Sequence, residues 1–157
     1  MTSLTLVRRI AARPSIVFDA LTSAEGIAGW WGPDDGPVLA AQSDVRVGGG
    51  YLVRFRMQDG SEHEARGEYL EMVRPERVVM SFRWVFGGAP EEIGNISRVE
   101  MELRAIGNET ELTFTHANLI AASTPSASKP SHEQGWSVAL DKLVRRLSGI
   151  GSTSIPD

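Results

Sequence analysis

Three histidines, His63, His116 and His132, are the side chains of this sequence best suited to acid–base chemistry, because an imidazole titrates near neutral pH. His116 alternates with Leu112 and Phe114 in "ELTFTH", so we expect it to point inward near the end of a strand. There it could act as a general base or orient a ligand, which makes it the catalytic candidate. The alternative, which the pattern favours, is a buried histidine hydrogen-bonded to a backbone group.

The other two histidines suggest structural roles. His132 falls in the first turn of the last predicted helix, where capping or packing is expected. His63 follows a hairpin, and the sequence does not determine which face of the sheet it lies on. The three are far apart in sequence, whereas zinc-binding histidines usually come with short spacings or with cysteines, and this chain has no cysteine. The closely spaced Glu62, Glu64, Glu68 and Glu71 are typical of a solvated strand face. We therefore predict no metal and no cofactor.

Motifs for a serine nucleophile or a phosphate loop are missing. Neither G-x-S-x-G nor a P-loop occurs, and no G-x-G-x-x-G lies between a strand and a helix. "VGGGY" is rich in glycine, but it enters a strand and so cannot aim a helix N-terminus at a phosphate. A bend in the sheet is the better interpretation.

The apolar side chains carry the strongest binding signal, because aromatic rings and methionines line both adaptable pockets and cores. Strand alternation and helical spacing place them between one sheet face and the last helix, where Phe86 also belongs by parity. Arg54, Arg56, Arg83 and Arg98 have the opposite parity and are expected in solvent. The alternative is that a bulge reverses the parity, in which case one of them would enter the cavity and bind an acidic group of the ligand. The predicted ligand-binding residues are Trp31, Phe55, Met57, Met80, Phe82, Trp84, Met101, Phe114, His116, Trp136 and Leu140.

The adjacent tryptophans in "EGIAGWWGPDDGPV" end a short predicted helix. Neighbouring residues on a helix point about 100° apart, so the two rings are expected to have different roles. We expect Trp30 to be packed in the core and Trp31 to lie nearer a cavity entrance.

The elements that must position these residues can be read from periodicity and turn signals. A first strand, "SLTLVRRI", is followed by a helix starting at Pro14 and a second short helix capped by Thr22 or Ser23. Alternating strands follow, with turns at Asp59–Gly60 and Gly107–Asn108 and a bulge or bend at Gly67. A helix with an apolar stripe begins at the Ser131–Gln134 capping pair and is predicted to end at Gly149.

Length and charge bound the class of protein. The 157 residues with a net charge of −4 favour one domain, 1–157, with a core over 4–148 and a flexible tail over 149–157. The acidic balance argues against nucleic acid as a partner. No apolar run approaches the roughly 20 residues of a membrane span, so no membrane insertion is expected. Without cysteines or a signal peptide, the cytoplasm is the default location.

Several strings together resemble the activator of Hsp90 ATPase homologue 1-like family, within the START/Bet v1-like (SRPBCC) helix-grip superfamily. They are "PSIVFDALTSAEGIAGWWGP", "DVRVGGGYLVRF", "DGSEHEARGEYLEMVRPERVVMSFRW" and "HEQGWSVALDKLVRRL", which run over most of the chain. The resemblance implies an α+β helix-grip fold. This is a curved antiparallel sheet of about six to seven strands wrapped around a long C-terminal helix, with two short helices after the first strand.

The resemblance also implies a hydrophobic cavity between the sheet and the helix that binds an apolar or amphipathic small molecule, and this is the function we favour. An alternative is a cyclase, dehydratase or hydrolase that uses the same cavity, with His116 as the acid–base group. Another is an Hsp90-related interaction module. Eukaryotic activators carry a further N-terminal domain for which these 157 residues have no room, which argues against a chaperone partner. A homodimer is left open.

Overall fold

The computed structural model describes residues 2–32, 38–57, 59–87, 95–119 and 129–153. It contains seven strands and three helices within these ranges. In chain order they are β1 (Thr2–Ile10), α1 (Pro14–Thr22), α2 (Ala24–Trp30), β2 (Val38–Ser43), β3 (Gly50–Arg56), β4 (Glu62–Val73), β5 (Arg77–Phe86), β6 (Ser97–Ile106), β7 (Glu109–Leu119) and α3 (Lys129–Thr153).

The strands form one antiparallel sheet in the order β1-β7-β6-β5-β4-β3-β2. This order and the two helices after the first strand confirm the predicted helix-grip fold. Six of the strands follow from alternation in the sequence. The seventh, β2, has the sequence "VLAAQS", whose small residues give little alternation, and it is found only through its pairing with β3.

Two helices start at the predicted positions for identifiable reasons. Pro14 occupies the first turn of α1, where a backbone N–H has no intrahelical partner in any case. The Ser23 side chain caps α2 by accepting a hydrogen bond from the backbone N–H of Gly26.

The long helix differs from its predicted boundaries. α3 begins at Lys129, two residues before Ser131, and it passes through Gly149 to Thr153, so the prediction that Gly149 ends it is wrong. An internal glycine costs about 1 kcal/mol relative to alanine, which weakens a helix without ending it. The predicted flexibility of the tail stays a prediction, and residues 154–157 lie outside the described part.

Gly67 is required by a close approach on the face of the sheet that α3 covers. The Tyr51 ring lies against Gly67, where an added Cβ would come within 2.4 Å of a ring carbon. The Tyr51 hydroxyl then donates a hydrogen bond to the backbone oxygen of Ser81, 2.7 Å away. The register shifts of β4 fall on either side of Gly67, at Glu64/Ala65 and Tyr69/Glu71, rather than at the glycine itself.

One edge of the sheet gathers six strand ends. The start of β2 pairs with the end of β3, the end of β3 with the start of β4, and the start of β4 with the end of β5. The start of β6 and the ends of β5 and β7 meet there as well. We call this the loop edge, and we call the face covered by α3 the inner face.

Candidate functional site

The centre of the inner face is a cluster of packed aromatic rings. The Trp31 ring stacks on Phe82 at a centroid distance of 6.3 Å, and it meets Trp136 of α3 edge-on at 5.1 Å. Trp136 also packs against Phe114 at 4.6 Å and Trp30 at 6.3 Å. Offset and edge-on geometries of this kind stabilise aromatic clusters beyond the burial of area alone. Trp136 therefore contributes ring contacts that hold α3 to the sheet.

Both tryptophans of the adjacent pair are buried, Trp30 with 0% and Trp31 with 3% of its surface exposed. The expectation that Trp31 lies at an entrance is therefore wrong. Trp31 has φ −73° and ψ 151°, which is extended backbone, so it caps α2 rather than continuing it. The helical offset of about 100° does not apply to such a residue, and the Trp31 ring turns onto the sheet.

His116 lies in this closed region with 0% of its surface exposed. The indole N–H of Trp136 donates to Nδ1 of His116 over 2.9 Å. Nε2 of His116 lies 2.6 Å from Oγ of Ser97, and that hydroxyl donates to the backbone oxygen of Phe82. The predicted inward orientation of His116 is confirmed.

The direction of these hydrogen bonds defines the form of the imidazole. An indole N–H can only donate, so Nδ1 of His116 must carry a lone pair and Nε2 must carry the proton. The Nε2–H then donates to Ser97, whose own proton goes to Phe82. A second proton on Nδ1 would face the indole N–H, so this site favours the neutral imidazole. With both nitrogens occupied, the geometry fits a hydrogen-bonded core histidine better than a general base.

A second group of rings lies on the inner face at the loop edge, and we call Phe55, Met57, His63 and Trp84 the edge cluster. His63 stacks on Phe55 at 5.5 Å and meets Trp84 edge-on at 5.6 Å. Phe55 is 5% exposed, whereas Met57, His63 and Trp84 are only half-buried. Here the described inner face is accessible from outside.

The electrostatics of His63 follow from its position. Partial burial lowers the pKa of His63 below its ordinary value, and the nearby charge of Asp59 opposes this shift. At neutral pH the ring is therefore uncharged, with one donor and one acceptor nitrogen. Neither nitrogen hydrogen-bonds to a described residue. The face of His63, undetermined in the sequence, is the inner one because His63 pairs with Phe55 across the hairpin.

The predicted ligand-binding residues divide between these two regions. Phe55, Met57 and Trp84 form the edge cluster with His63, a residue that the prediction left out. The interior holds the rest, each no more than 7% exposed: Trp31, Met80, Phe82, Met101, Phe114, His116, Trp136 and Leu140. Their role in binding a ligand stays a prediction.

Phe86 does not lie on the predicted face. Val85 is an extra residue between Trp84, which pairs with Ala65, and Phe86, which pairs with Glu64. This β-bulge turns Phe86 to the outer face, where the Arg54 guanidinium lies 5.5 Å from its ring centroid. Alternation cannot reveal a bulge, because one added residue reverses the facing of all that follow.

Comparison with models of protein families identifies the family of this chain. The model of the family described as activator of Hsp90 ATPase homolog 1-like protein matches residues 11–148, which is most of the chain. The chain belongs to this family. The match includes the aromatic cluster, the edge cluster and most of α3.

Several solved structures share the fold over almost their full length. A protein from Chromobacterium violaceum is 23% identical with a TM-score of 0.76, over 94% of this chain and 98% of that one. An AHSA1 protein from Silicibacter pomeroyi has the same identity, TM-score and coverage. An AHSA1-like protein from Aeromonas hydrophila is 19% identical with a TM-score of 0.73, over 96% and 94%. Similarity at these identities shows the fold. No match was found among curated proteins.

The described residues contain neither a metal-binding cluster nor a membrane helix. Within them, no three acidic or histidine side chains come together as metal ligands. No helix in the described ranges combines the length and apolarity needed to cross a bilayer. The side chain of His132 lies outside the described part, so its predicted capping or packing role stays a prediction.

Sequence reasoning missed Ser97, although a signal was present. Ser97 has the parity of Val99 and Met101, which places it inward, and it is only 5% exposed. A buried hydroxyl needs a partner, and His116 of the neighbouring strand supplies it. The combination of an inward serine and an inward histidine on adjacent strands was the evidence for the pair.

Proposed function

We propose that the protein binds an apolar or amphipathic small molecule on the inner face of the sheet, under α3, and that the molecule enters at the edge cluster. The observation that carries this proposal is the half-burial of Met57, His63 and Trp84. These three side chains continue the apolar interior to the surface, and a ligand that covers them would remove apolar area from water.

The chemistry of the edge cluster supports a ligand with one polar end. Two aromatic rings and a methionine offer an apolar wall that adapts to shape. His63 adds a neutral donor and acceptor that have no described partner, and Phe55 closes the wall behind it. An alcohol, ketone or phenol on an apolar body fits this combination.

The state of His116 supports binding over catalysis by that residue. An acid–base catalyst needs a nitrogen that can reach the substrate. In His116 both nitrogens are engaged, by Trp136 and by Ser97.

The proposal can be tested with neutral probes such as dodecanol, naphthol and a flavone. We expect saturable binding to move the Trp84 indole N–H signal in proton–nitrogen NMR spectra. Trp84→Ala should weaken binding by about tenfold or more, because a ring contact is lost. Phe86→Ala is the matched control, since Phe86 is an aromatic residue of the same strand on the outer face, and it should leave binding unchanged.

Two results would contradict the proposal. One is that none of the probes binds to the folded wild-type protein at its solubility limit. The other is that Trp84→Ala and Phe86→Ala reduce binding equally, since the ligand would then not discriminate between the two faces.

A further inference from the structure

The outer face carries a straight row of side chains across four strands. The pairing register aligns Gln42 of β2 with Leu52 of β3, Leu52 with Arg66 of β4, and Arg66 with Arg83 of β5. Ile96, which precedes β6, borders the same row and is 63% exposed. The register therefore places two arginines next to each other between two apolar residues, Leu52 and Ile96.

Two like charges directly opposite one another destabilise a sheet unless something neutralises them. Arg66 donates its Nε–H to Glu64, but the same carboxylate also accepts from Arg54. Arg83 makes no hydrogen bond or ion pair with any residue that the structure describes. Most other outer-face arginines are paired, among them Arg56 with Glu62 and Arg98 with Glu100. Within the described residues, hydrogen bonds and ion pairs thus balance the positive charge at Arg66 and Arg83 only in part.

The row borders a groove of about 500 Å³. In the adjacent row Gly50 pairs with Glu68, and the backbone N–H of Glu68 donates to the hydroxyl of Ser81. Gly50 has no side chain and that of Ser81 is small, so the surface is low here. The volume lies in the range of about 300–1,000 Å³ that small-molecule sites occupy. A depression beside two guanidinium groups can hold a ligand that a flat charged surface could not.

We propose that this groove binds the carboxylate or phosphate group of a small amphipathic molecule. Arg83 and Arg66 contact the anionic group, since guanidinium is the side chain best matched to both anions. Leu52 and Ile96 contact the apolar part. Glu68 lies at the groove as well, and its charge sets a limit on affinity. This site is on the opposite face of the sheet from the edge cluster, so it does not depend on the function proposed above.

The test uses benzoate and phenyl phosphate as charged probes and benzamide as their neutral counterpart. Titration followed by backbone amide shifts should place both charged probes at Leu52, Gly67 and Ser81, and the tighter of the two identifies the preferred anion. Benzamide should bind much more weakly, and added salt should weaken the charged probes.

Three variants make the test specific. Arg83→Gln should weaken the charged probes by about tenfold or more, because a charge-assisted contact is lost. Glu68→Gln should strengthen them, because repulsion is removed. Arg13→Gln is the control, as Arg13 is an exposed arginine outside the groove, and it should change nothing.

The proposal is overturned if neither anion shifts the groove amides of the wild-type protein. It is also overturned if benzamide binds as well as benzoate, or if Arg13→Gln and Arg83→Gln have equal effects. If Trp84→Ala loses binding of the neutral probes but keeps binding of the anions, the groove and the edge cluster bind independently of each other.

Discussion

His63 and His116 lie on the same face of the same sheet, and each is surrounded by aromatic rings, yet their surroundings differ. His116 is fully buried with both nitrogens in hydrogen bonds. His63 is half-buried and stacks on Phe55, with no described hydrogen-bond partner for its nitrogens. The two residues are of the same type, so it is their position along the strands that makes His116 part of the core and His63 part of the candidate site.

The difference follows from how far the first turns of α3 reach. Trp136 contacts the rings of Phe82, Phe114 and His116. Among described residues it makes no ring contact with His63 or Trp84. Toward the loop edge, the inner face is therefore closed where Trp136 covers it and accessible at His63 and Trp84, which it does not reach. The predictions below test this division.

The largest effect is expected from Trp136→Ala in the closed region. It removes ring contacts to the sheet and leaves Nδ1 of His116 without its donor, so the free energy of unfolding should fall by about 3–5 kcal/mol. Trp84→Ala at the edge cluster should lose only about 1–2 kcal/mol, because less of that ring is buried. Urea unfolding followed by far-UV circular dichroism measures both. Equal losses would mean that the two regions are one core.

The tryptophan pair tests the closed region from the side of α2. Trp30→Ala and Trp31→Ala should each cost about 3–5 kcal/mol of unfolding free energy, since both rings are almost fully buried. The same urea experiment measures the difference between them. A Trp31→Ala protein that keeps wild-type stability while losing affinity for the neutral probes would restore Trp31 to the site and contradict the division.

Much of this arrangement could be predicted from the sequence, because alternation and helical spacing report which side is buried. The inward facing of His116, the outer position of the arginines and the hairpin at Asp59–Gly60 all follow from patterns of two residues or from turn chemistry. The family resemblance supplied the order of the elements, which local patterns do not contain.

What could not be predicted depends on contacts between distant segments. The bulge at Val85 that turns Phe86 outward is a property of the β4–β5 pairing, and no residue type marks it. The burial of Trp31 depends on its extended backbone after α2 and on its contacts with Phe82 and Trp136. The accessibility of Trp84 depends on which residues Trp136 of α3 contacts. The alternation of residues within β5 does not contain this information.

A smaller effect is expected at the hydrogen-bond chain of the closed region. Ser97→Ala removes the serine acceptor of the His116 Nε2–H and so breaks a buried hydrogen bond, which should cost about 1–3 kcal/mol. Ser15→Ala is the control, because Ser15 of α1 makes no side-chain hydrogen bond to a described residue, and its change should stay within about 0.5 kcal/mol. If the two variants unfold at the same urea concentration, the chain does not hold His116 in place.

The smallest effect is the pH dependence that His63 contributes. Burial lowers the pKa of His63 below its ordinary 6.5, so the unfolded chain takes up a proton at a higher pH than the folded chain. The stability from the neutral ring is therefore fully present above about pH 6.5 and is lost as the pH falls toward the lower folded pKa. His63→Phe keeps a ring on Phe55 but cannot titrate. Its unfolding free energy should therefore fall less than that of the wild type between about pH 7 and about pH 5.5.

The carboxylate of Glu64 does not interfere, because it titrates below this window. Burial raises the pKa of Glu64, but the hydrogen bonds and charges of Arg54 and Arg66 outweigh that effect, so the pKa lies below its ordinary value of 4.5. Identical slopes in the two proteins would show that the edge cluster does not discriminate between the charged and neutral imidazole, and His63 would then resemble a solvated residue rather than part of a site.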